Sequence, residues 1–309
     1  MRIHHSIAEL AAVPGPVFLA IGVFDGVHLG HQAVIRRAME DAKAAGGTAV
    51  VVTFDPHPVR VMRPEQAPRL LTSTQHKAQL IEKLGVSELL VIPFTLEFSA
   101  TTPESFVHAL HDACRPLREI CVGHTWSFGR NRAGNLELLK KMGDQLGFDE
   151  VGLPAVEIDG EVVSSTLIRA AVETGDLAKV AQLLGHDLTI LGTVVPGDRL
   201  GRTIGFPTAN LSAHNEQFPP NGVYAVEASY EGLTLPGVVN IGVRPTIATA
   251  SGERVLELHL FDFAADIYGQ DVEVVFRKFL RPEQKFAGLD ALKDQIASDV
   301  ADARRALKI

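Results

Sequence analysis

Val17-Phe-Leu-Ala-Ile-Gly-Val-Phe-Asp-Gly-Val-His-Leu-Gly-His31 runs an apolar strand through a glycine-flanked pair of histidines into a helix. The strand spans 17–24 and the helix 31–45. Val34, Ile35, Ala38, Met39 and Ala42 form the helix's apolar stripe, and Gly46-Gly47 ends it. The next run, 48–54, is almost wholly apolar, as in parallel strands covered on both faces. Helical patterns at 74–84, 103–113 and 135–146 then alternate with strand patterns at 88–93, 119–122 and 150–157. Repeated βαβ units predict a doubly wound parallel sheet of α/β class, with its ligand at the carboxyl ends of the strands. The quoted motif lies at such an end.

A helix N-terminus offers unpaired N–H groups and a partial positive charge. Gly22 and Gly30 let backbone approach a ligand closely, and His28 and His31, three apart, converge on one side of the first turn. This geometry suits a nucleotide phosphate. Two other readings stand beside it: ordinary core or surface histidines, or zinc ligands completed by His57 or His124. The chain contains neither G-x-x-x-x-G-K-[ST] nor G-x-G-x-x-G. Without a lysine cradle for β- and γ-phosphates, the α–β link of a nucleotide becomes the expected target. A second motif, Val163-Ser-Ser-Thr-Leu-Ile-Arg169, sits where a strand gives way to a helix. Ser164, Ser165 and Thr166 offer hydroxyls for capping or for phosphate oxygens, and Arg169 lies one turn on.

After helical segments at 166–174 and 176–184, the pattern changes near Gly185-His186. Strands at 188–195, 222–230, 235–241, 254–263 and 271–279 follow one another, separated by turns. This arrangement predicts an antiparallel barrel, with a helix at 289–307 covering one face or end. Two domains are expected, 1–185 and 186–309. Gly197, Gly201 and Gly205 recur every four residues with Arg199 and Arg202 among them, which suits a flap around phosphates. Thr208 and Asn210 are alternate residues whose oxygens face one way in extended chain, as Mg²⁺ bound largely by phosphates requires. Leu256, Leu258 and Leu260 face one side of their strand; Glu257 and His259 face the other.

The length of 309 residues favours two domains, and 46% apolar residues suffice for two cores. A formal charge of -8 argues against a nucleic-acid footprint. Two cysteines, Cys114 and Cys121, form no disulfide framework and fit a reducing compartment. The first 15 residues lack a signal-peptide core, and no apolar run reaches bilayer length, so a cytoplasmic protein without membrane partners is expected. Self-association is left open.

G-x-F-D-G-x-H-x-G-H with S-S-T-x-x-R, followed by G-x-x-x-G-x-x-x-G-x-P-T-A-N, resembles the bacterial bifunctional riboflavin kinase/FAD synthetases along essentially the whole chain. The resemblance implies phosphorylation of riboflavin to FMN by ATP, then attack of FMN on the α-phosphorus of a second ATP, giving FAD and pyrophosphate. It implies that His28 and His31 stabilise charge on the phosphates. Gly22, Phe24, Asp25, Gly30, Ser164, Ser165, Thr166 and Arg169 would hold the nucleotide of the first domain. Gly197, Arg199, Gly201, Arg202 and Gly205 would hold that of the second. Thr208 and Asn210 would bind Mg²⁺, and Glu257 would be the catalytic base. Phe54, His57, Phe128, Asn240 and Arg244 fall at flavin-side positions, and Trp126 is expected in the core. Thr125 stands where the family pattern has Asp or Asn, so a chain active as kinase alone, with a weakened or regulatory first domain, is the alternative. A flavin- or nucleotide-binding regulator without catalysis is the reading from another class.

Overall fold

The computed structural model describes residues 1–197, 205–244 and 253–309. Arg199, Gly201 and Arg202 lie outside the described residues, as does the side chain of Arg244. The chain forms two compact units, Met1–Pro68 with Thr74–Ser165, and Arg69–Ser73 with Thr166–Ile309.

The first unit is built on six parallel strands: β1 (Arg2–His4), β2 (Val17–Ile21), β3 (Thr48–Asp55), β4 (Glu88–Pro93), β5 (Leu117–Gly123) and β6 (Asp149–Leu153). Their order is β1-β4-β3-β2-β5-β6. Between them run α1 (Leu29–Ala44), α2 (Pro58–Met62), α3 (Thr74–Lys83), α4 (Leu96–Ser99), α5 (Pro103–Ala113) and α6 (Leu136–Leu146). Strand residues alternate between two cores. Leu19, Ile21, Val50 and Val52 pack with Phe106 and Leu110 of α5 and Leu139 of α6. Phe18, Ala20 and Val51 pack with Val34, Ile35 and Ala38 of α1 and Ile81 of α3. Each large aliphatic side chain so buried contributes about 1.5–3 kcal/mol, so both faces of the sheet stay covered. The expected doubly wound sheet is therefore present. Chain order reverses beside β2, which has β3 on one side and β5 on the other. The Gly22–His28 loop leaves the sheet at this switch point, where such folds bind ligands.

Local differences have local causes. β2 stops at Ile21 because the chain turns at Phe24, whose φ is 52°. α1 begins at Leu29, two residues early, because His28 caps it. A hairpin of β7 (Glu157–Ile158) and β8 (Glu161–Val162) stands after a β6 shorter than the expected 150–157 strand.

One feature of the sheet carries a pH dependence. Glu119 on β5 is buried on the α1 face, where Arg37 pairs with Asp41. Burial, then the Asp41 carboxylate, pushes Glu119 up to about 7; Arg37 opposes this and Asp149 adds to it. A pKa raised above its unfolded value gives stability that is present below the unfolded value and is lost as pH rises through the folded one. Glu119→Gln should therefore raise the melting temperature of this unit by a few degrees at pH 8, with the gain disappearing toward pH 5. Thermal melts at the two pH values check this, and a gain equal at both contradicts the assignment. Nearby Cys121, and Cys114 at the end of α5, are buried free thiols, each pushed up to about 12 by burial.

In the second unit α7 (Ser165–Thr174) and α8 (Leu177–Leu184) precede a closed antiparallel barrel. Its strands are β9 (Thr189–Val195), β10 (Ala209–Ala213), β11 (Gly222–Tyr230), β12 (Leu233–Arg244), β13 (Glu253–Leu260) and β14 (Asp271–Arg281), closing in the order β10-β13-β12-β11-β14-β9. The barrel thus has six strands where five were expected. The added strand, β10, lies beyond the glycines read as a flap and includes Asn210, read as extended chain. The terminal helix α9 (Leu289–Leu307) lays Ala303, Val300 and Leu307 on Val223, Ala225, Val238 and Phe261. Arg281 clamps it with two hydrogen bonds, 2.8 and 2.7 Å, to the buried Asp299 carboxylate. Such bidentate pairs are among the stronger polar contacts.

Candidate active sites

The loop after β2 is held in an unusual backbone course. Phe24 and Val27 have φ of 52° and 42°, and a β-branched residue rarely adopts such a value. Gly22 donates its N–H to the Val52 carbonyl at 3.1 Å. A Cβ on Gly22 would lie 2.7 Å from the Phe24 ring, so glycine is required there. Phe24 in turn meets the His31 ring edge-on, centroids 5.3 Å apart.

His28 Nδ1 accepts the His31 N–H at 3.4 Å and so caps α1. A ring nitrogen that accepts carries no proton, so the neutral His28 ring bears its hydrogen on Nε2. The His28 and His31 rings stack, with centroids 3.5 Å apart and planes 21° from parallel. His31 Nδ1 is buried without a hydrogen-bond partner. Burial, then the proximity of His28 and Lys77, holds its pKa well below the ordinary histidine value. Two stacked imidazoles thus stand at a helix N-terminus.

Lys77 is the participant that the sequence pattern misses. It sits on α3, is 5% exposed, and donates from Nζ to Thr53 Oγ1 at 3.3 Å; Thr53 donates onward to the Val23 carbonyl at 2.9 Å. Burial lowers its pKa, while Asp25 and Asp55 raise it. Lysines on helices usually face solvent, and nothing in the α3 pattern marks this one as turned inward. Ser165 Oγ donates to the Asp25 carbonyl at 3.0 Å, which brings the Ser164-Ser165 turn to the loop. Thr166 and Arg169 belong to the second unit, where Arg169 Nε donates to the Arg69 carbonyl at 2.7 Å.

Of the residues expected beside a flavin in this unit, Phe54 and Phe128 lie in the core. Phe54 is buried and meets Phe94 edge-on at 5.9 Å. Phe128 is buried with Trp126 stacked on it at 4.3 Å, so Trp126 packs against the core as expected. His57 caps α2 by accepting the Val59 N–H at 3.2 Å. Thr125 is exposed just beyond the carboxyl end of β5, next to β2. Among the described residues no three His, Cys, Asp or Glu side chains form a metal-ligand group, so the zinc reading has no support there.

In the barrel, the alternation of β13 is as read: Leu256, Leu258 and Leu260 are buried, Glu257 and His259 half-buried on the other side. Glu257 pairs in register with Asn210 of β10 on one flank and Asn240 of β12 on the other. Directly paired residues face the same way, so the three form a row across three strands. Asn240, expected at the flavin side, thus stands next to the expected base. Asn210 Oδ1 is buried with no hydrogen-bond partner. An unsatisfied amide oxygen two residues from the Thr208 hydroxyl suits a hard cation such as Mg²⁺. Gly197 lies against the same side chain: a Cβ there would sit 1.7 Å from Asn210 Nδ2. Gly197→Ala should therefore displace Asn210 and weaken binding of a divalent cation here, measured by Mg²⁺ titration of the wild-type and variant chains. Equal affinity in both would show that Asn210 holds no cation.

A parallel α/β unit with a stacked histidine pair at its switch point, together with a small barrel carrying an Asn-Glu-Asn row, fits a two-unit enzyme of nucleotide chemistry. Residues 11–167 match the FAD synthetase family and residues 184–307 the riboflavin kinase family. The chain is 40% identical over 306 residues to the bifunctional riboflavin kinase/FMN adenylyltransferase of Escherichia coli strain K12, covering 98% of this chain and 97% of that one. It is 37% identical over 308 residues to the protein of the same name from Bacillus subtilis strain 168, covering 98% and 95%. The chain belongs to the bifunctional riboflavin kinase/FMN adenylyltransferase family, and carries both an FAD synthetase domain and a riboflavin kinase domain. A solved structure named as a macrolide-efflux protein from Streptococcus pneumoniae superposes with a TM-score of 0.79 at 30% identity, covering 96% of each chain. Among the described residues no helix is long and apolar enough to cross a membrane.

Proposed function

We propose that this chain makes FMN from riboflavin in its barrel and FAD from FMN in its parallel-sheet unit, with ATP as co-substrate of both steps. The functional division falls at 1–185 and 186–309, and the protein works in the cytoplasm on these small molecules, with no nucleic-acid partner. The observation that carries the reading is the in-register row Asn210–Glu257–Asn240, in a unit separate from the stacked His28–His31 pair.

In the kinase step Glu257 accepts the proton of the ribityl 5′-hydroxyl as that oxygen bonds to the γ-phosphorus and ADP departs. A carboxylate is basic enough, because the hydroxyl need lose its proton only as the new bond forms. Thr208 and Asn210 would hold Mg²⁺, which when bound neutralises charge on the transferring phosphates. Gly197 and Gly205, with Arg199, Gly201 and Arg202, would wrap the nucleotide, and Asn240 and Arg244 the flavin side. In the adenylyl step a phosphate oxygen of FMN attacks the α-phosphorus and pyrophosphate leaves. His28 Nε2–H, His31 and the α1 N-terminus donate to phosphate oxygens as their charge grows. Two stacked imidazolium rings would repel one another, so the pair meets the nucleotide neutral. Phosphate charge then favours a proton on one ring. Gly22, Phe24, Asp25 and Gly30 shape this loop; Ser164 and Ser165 would hold the remaining phosphate oxygens; Phe54, His57 and Phe128 back the flavin side.

The test is incubation with riboflavin, ATP and Mg²⁺, with flavins resolved by chromatography over time. FMN should appear first and FAD after it. FMN that accumulates without FAD would leave the kinase reading alone, the outcome that exposed Thr125 in place of Asp or Asn would favour. No product would sink both activities.

A further inference from the structure

Three residues before Asn210, the chain is held by a side chain that the reaction itself does not call on. His259 lies on β13 two residues from Glu257 and on the same side of the strand. Its Nδ1 is 2.8 Å from the Pro207 carbonyl oxygen. A carbonyl can only accept, so Nδ1 carries the hydrogen and donates it. The Phe206 ring meets the same imidazole edge-on, centroids 5.5 Å apart and planes 80° from parallel. Both contacts fall on the residues immediately before Thr208.

The backbone ladder cannot do this job. The β10–β13 register runs Leu211↔Leu256, Asn210↔Glu257, Ala209↔Leu258 and ends there. Pro207 has no N–H to extend it. The imidazole supplies the missing tie beyond the last ladder pair. The strand that carries Glu257 therefore also grips the segment that presents Thr208 and Asn210, so base and cation-side oxygens move as one piece. On the other flank β13 is itself held, with His259 paired to Val238 of β12.

We propose that His259 is a positioning residue of the kinase centre: it clamps Phe206-Pro207 and thereby sets Thr208 and Asn210 against Glu257. The proposal rests on the kinase reading above. Misplacing reacting groups by about 1 Å is enough to cost up to about 100-fold in rate, which sets the scale of the expected effect.

The test uses the full chain with His259→Ala, His259→Asn and His259→Gln. Asn carries an amide nitrogen at the branch where Nδ1 sits, whereas the Gln amide lies one bond further, near Nε2. Riboflavin phosphorylation by the Ala variant should fall about 10- to 100-fold in kcat/KM, with a raised KM for ATP at limiting Mg²⁺. Asn should restore most of the loss and Gln should not. Conversion of supplied FMN to FAD should stay at the wild-type rate in all three. Independently of activity, hydrogen–deuterium exchange of the amides of Phe206, Thr208 and Ala209 should quicken in the Ala and Gln variants and return toward wild type in Asn. An Ala variant with unchanged exchange, or one that phosphorylates riboflavin within about twofold of wild type, overturns the clamp, as does failure of Asn to do better than Gln. If the wild-type chain makes no FMN, the kinase reading fails instead, and the exchange measurement alone decides whether His259 holds the segment.

Discussion

Glu257→Gln should slow riboflavin phosphorylation by about 10²–10⁴-fold, the usual contribution of a positioned general base, and should leave FAD formation from supplied FMN at its wild-type rate. The substitution keeps size and hydrogen bonding but removes the group that can take a proton. Glu257 is half-buried on β13, its neighbours on that strand, Leu256 and Leu258, are locked in the barrel interior, and it is paired across strands with Asn210 and Asn240. Strand register rather than a loop fixes its place, so the variant should fold with the wild-type melting transition. The KM for riboflavin should change little, because the missing interaction is made as the oxygen is deprotonated, and loss of such an interaction falls on kcat. Steady-state assays with riboflavin and with FMN as separate substrates measure both halves. A Glu257→Gln chain that phosphorylates riboflavin within a few-fold of wild type would remove Glu257 from the chemistry. Loss of FAD formation as well would show that the two units are not chemically independent.

How far the sequence could be read depended on how much chemistry a short stretch holds by itself. Pro103–Ala113 emerged with its expected bounds because Pro103 sits in the first turn and Thr102 caps it by accepting the Ser105 N–H at 3.1 Å. Glu88–Pro93 did so because five of its six residues are buried. β10 was hidden because Ala209–Ala213 buries just Leu211, and the glycines ahead of it favour a loop reading. The histidine pair was legible since a three-residue spacing at a helix start already brings two rings together. Lys77 was not, because its inward turn depends on where β3 places Thr53. The phenylalanines show the opposite limit. Phe54 and Phe128 stand beside the expected motifs in sequence, yet their rings are committed to contacts with Phe94, Phe106 and Trp126. Proximity in sequence told which loop they border and left open which side of the sheet they face. The row Asn210–Glu257–Asn240 joins three strands far apart in the chain, and no local pattern announces such register.

His28→Ala should lower FAD formation from FMN by about 10²–10³-fold, the typical loss of one donor to a developing oxyanion, and should leave FMN formation from riboflavin unchanged. His28 has two jobs that this variant removes together. Its Nδ1 caps α1 by accepting the His31 N–H, and as an acceptor at Nδ1 the ring carries its hydrogen on Nε2, the atom proposed to donate to phosphate. Loss of a cap destabilises by about 1 kcal/mol, and the stacked His31 ring loses its neighbour at the same time. His28→Asn separates the two roles. Asparagine is a good capping residue, so the Asn variant should melt close to wild type, whereas its short amide does not reach where Nε2 reaches. Stability should therefore return in Asn and FAD formation should not. Paired melting curves and FMN-to-FAD rates for the two variants measure this. If Asn recovered the rate along with the stability, His28 would be a cap alone, and His31, Lys77 and the helix N-terminus would have to hold the phosphates without it.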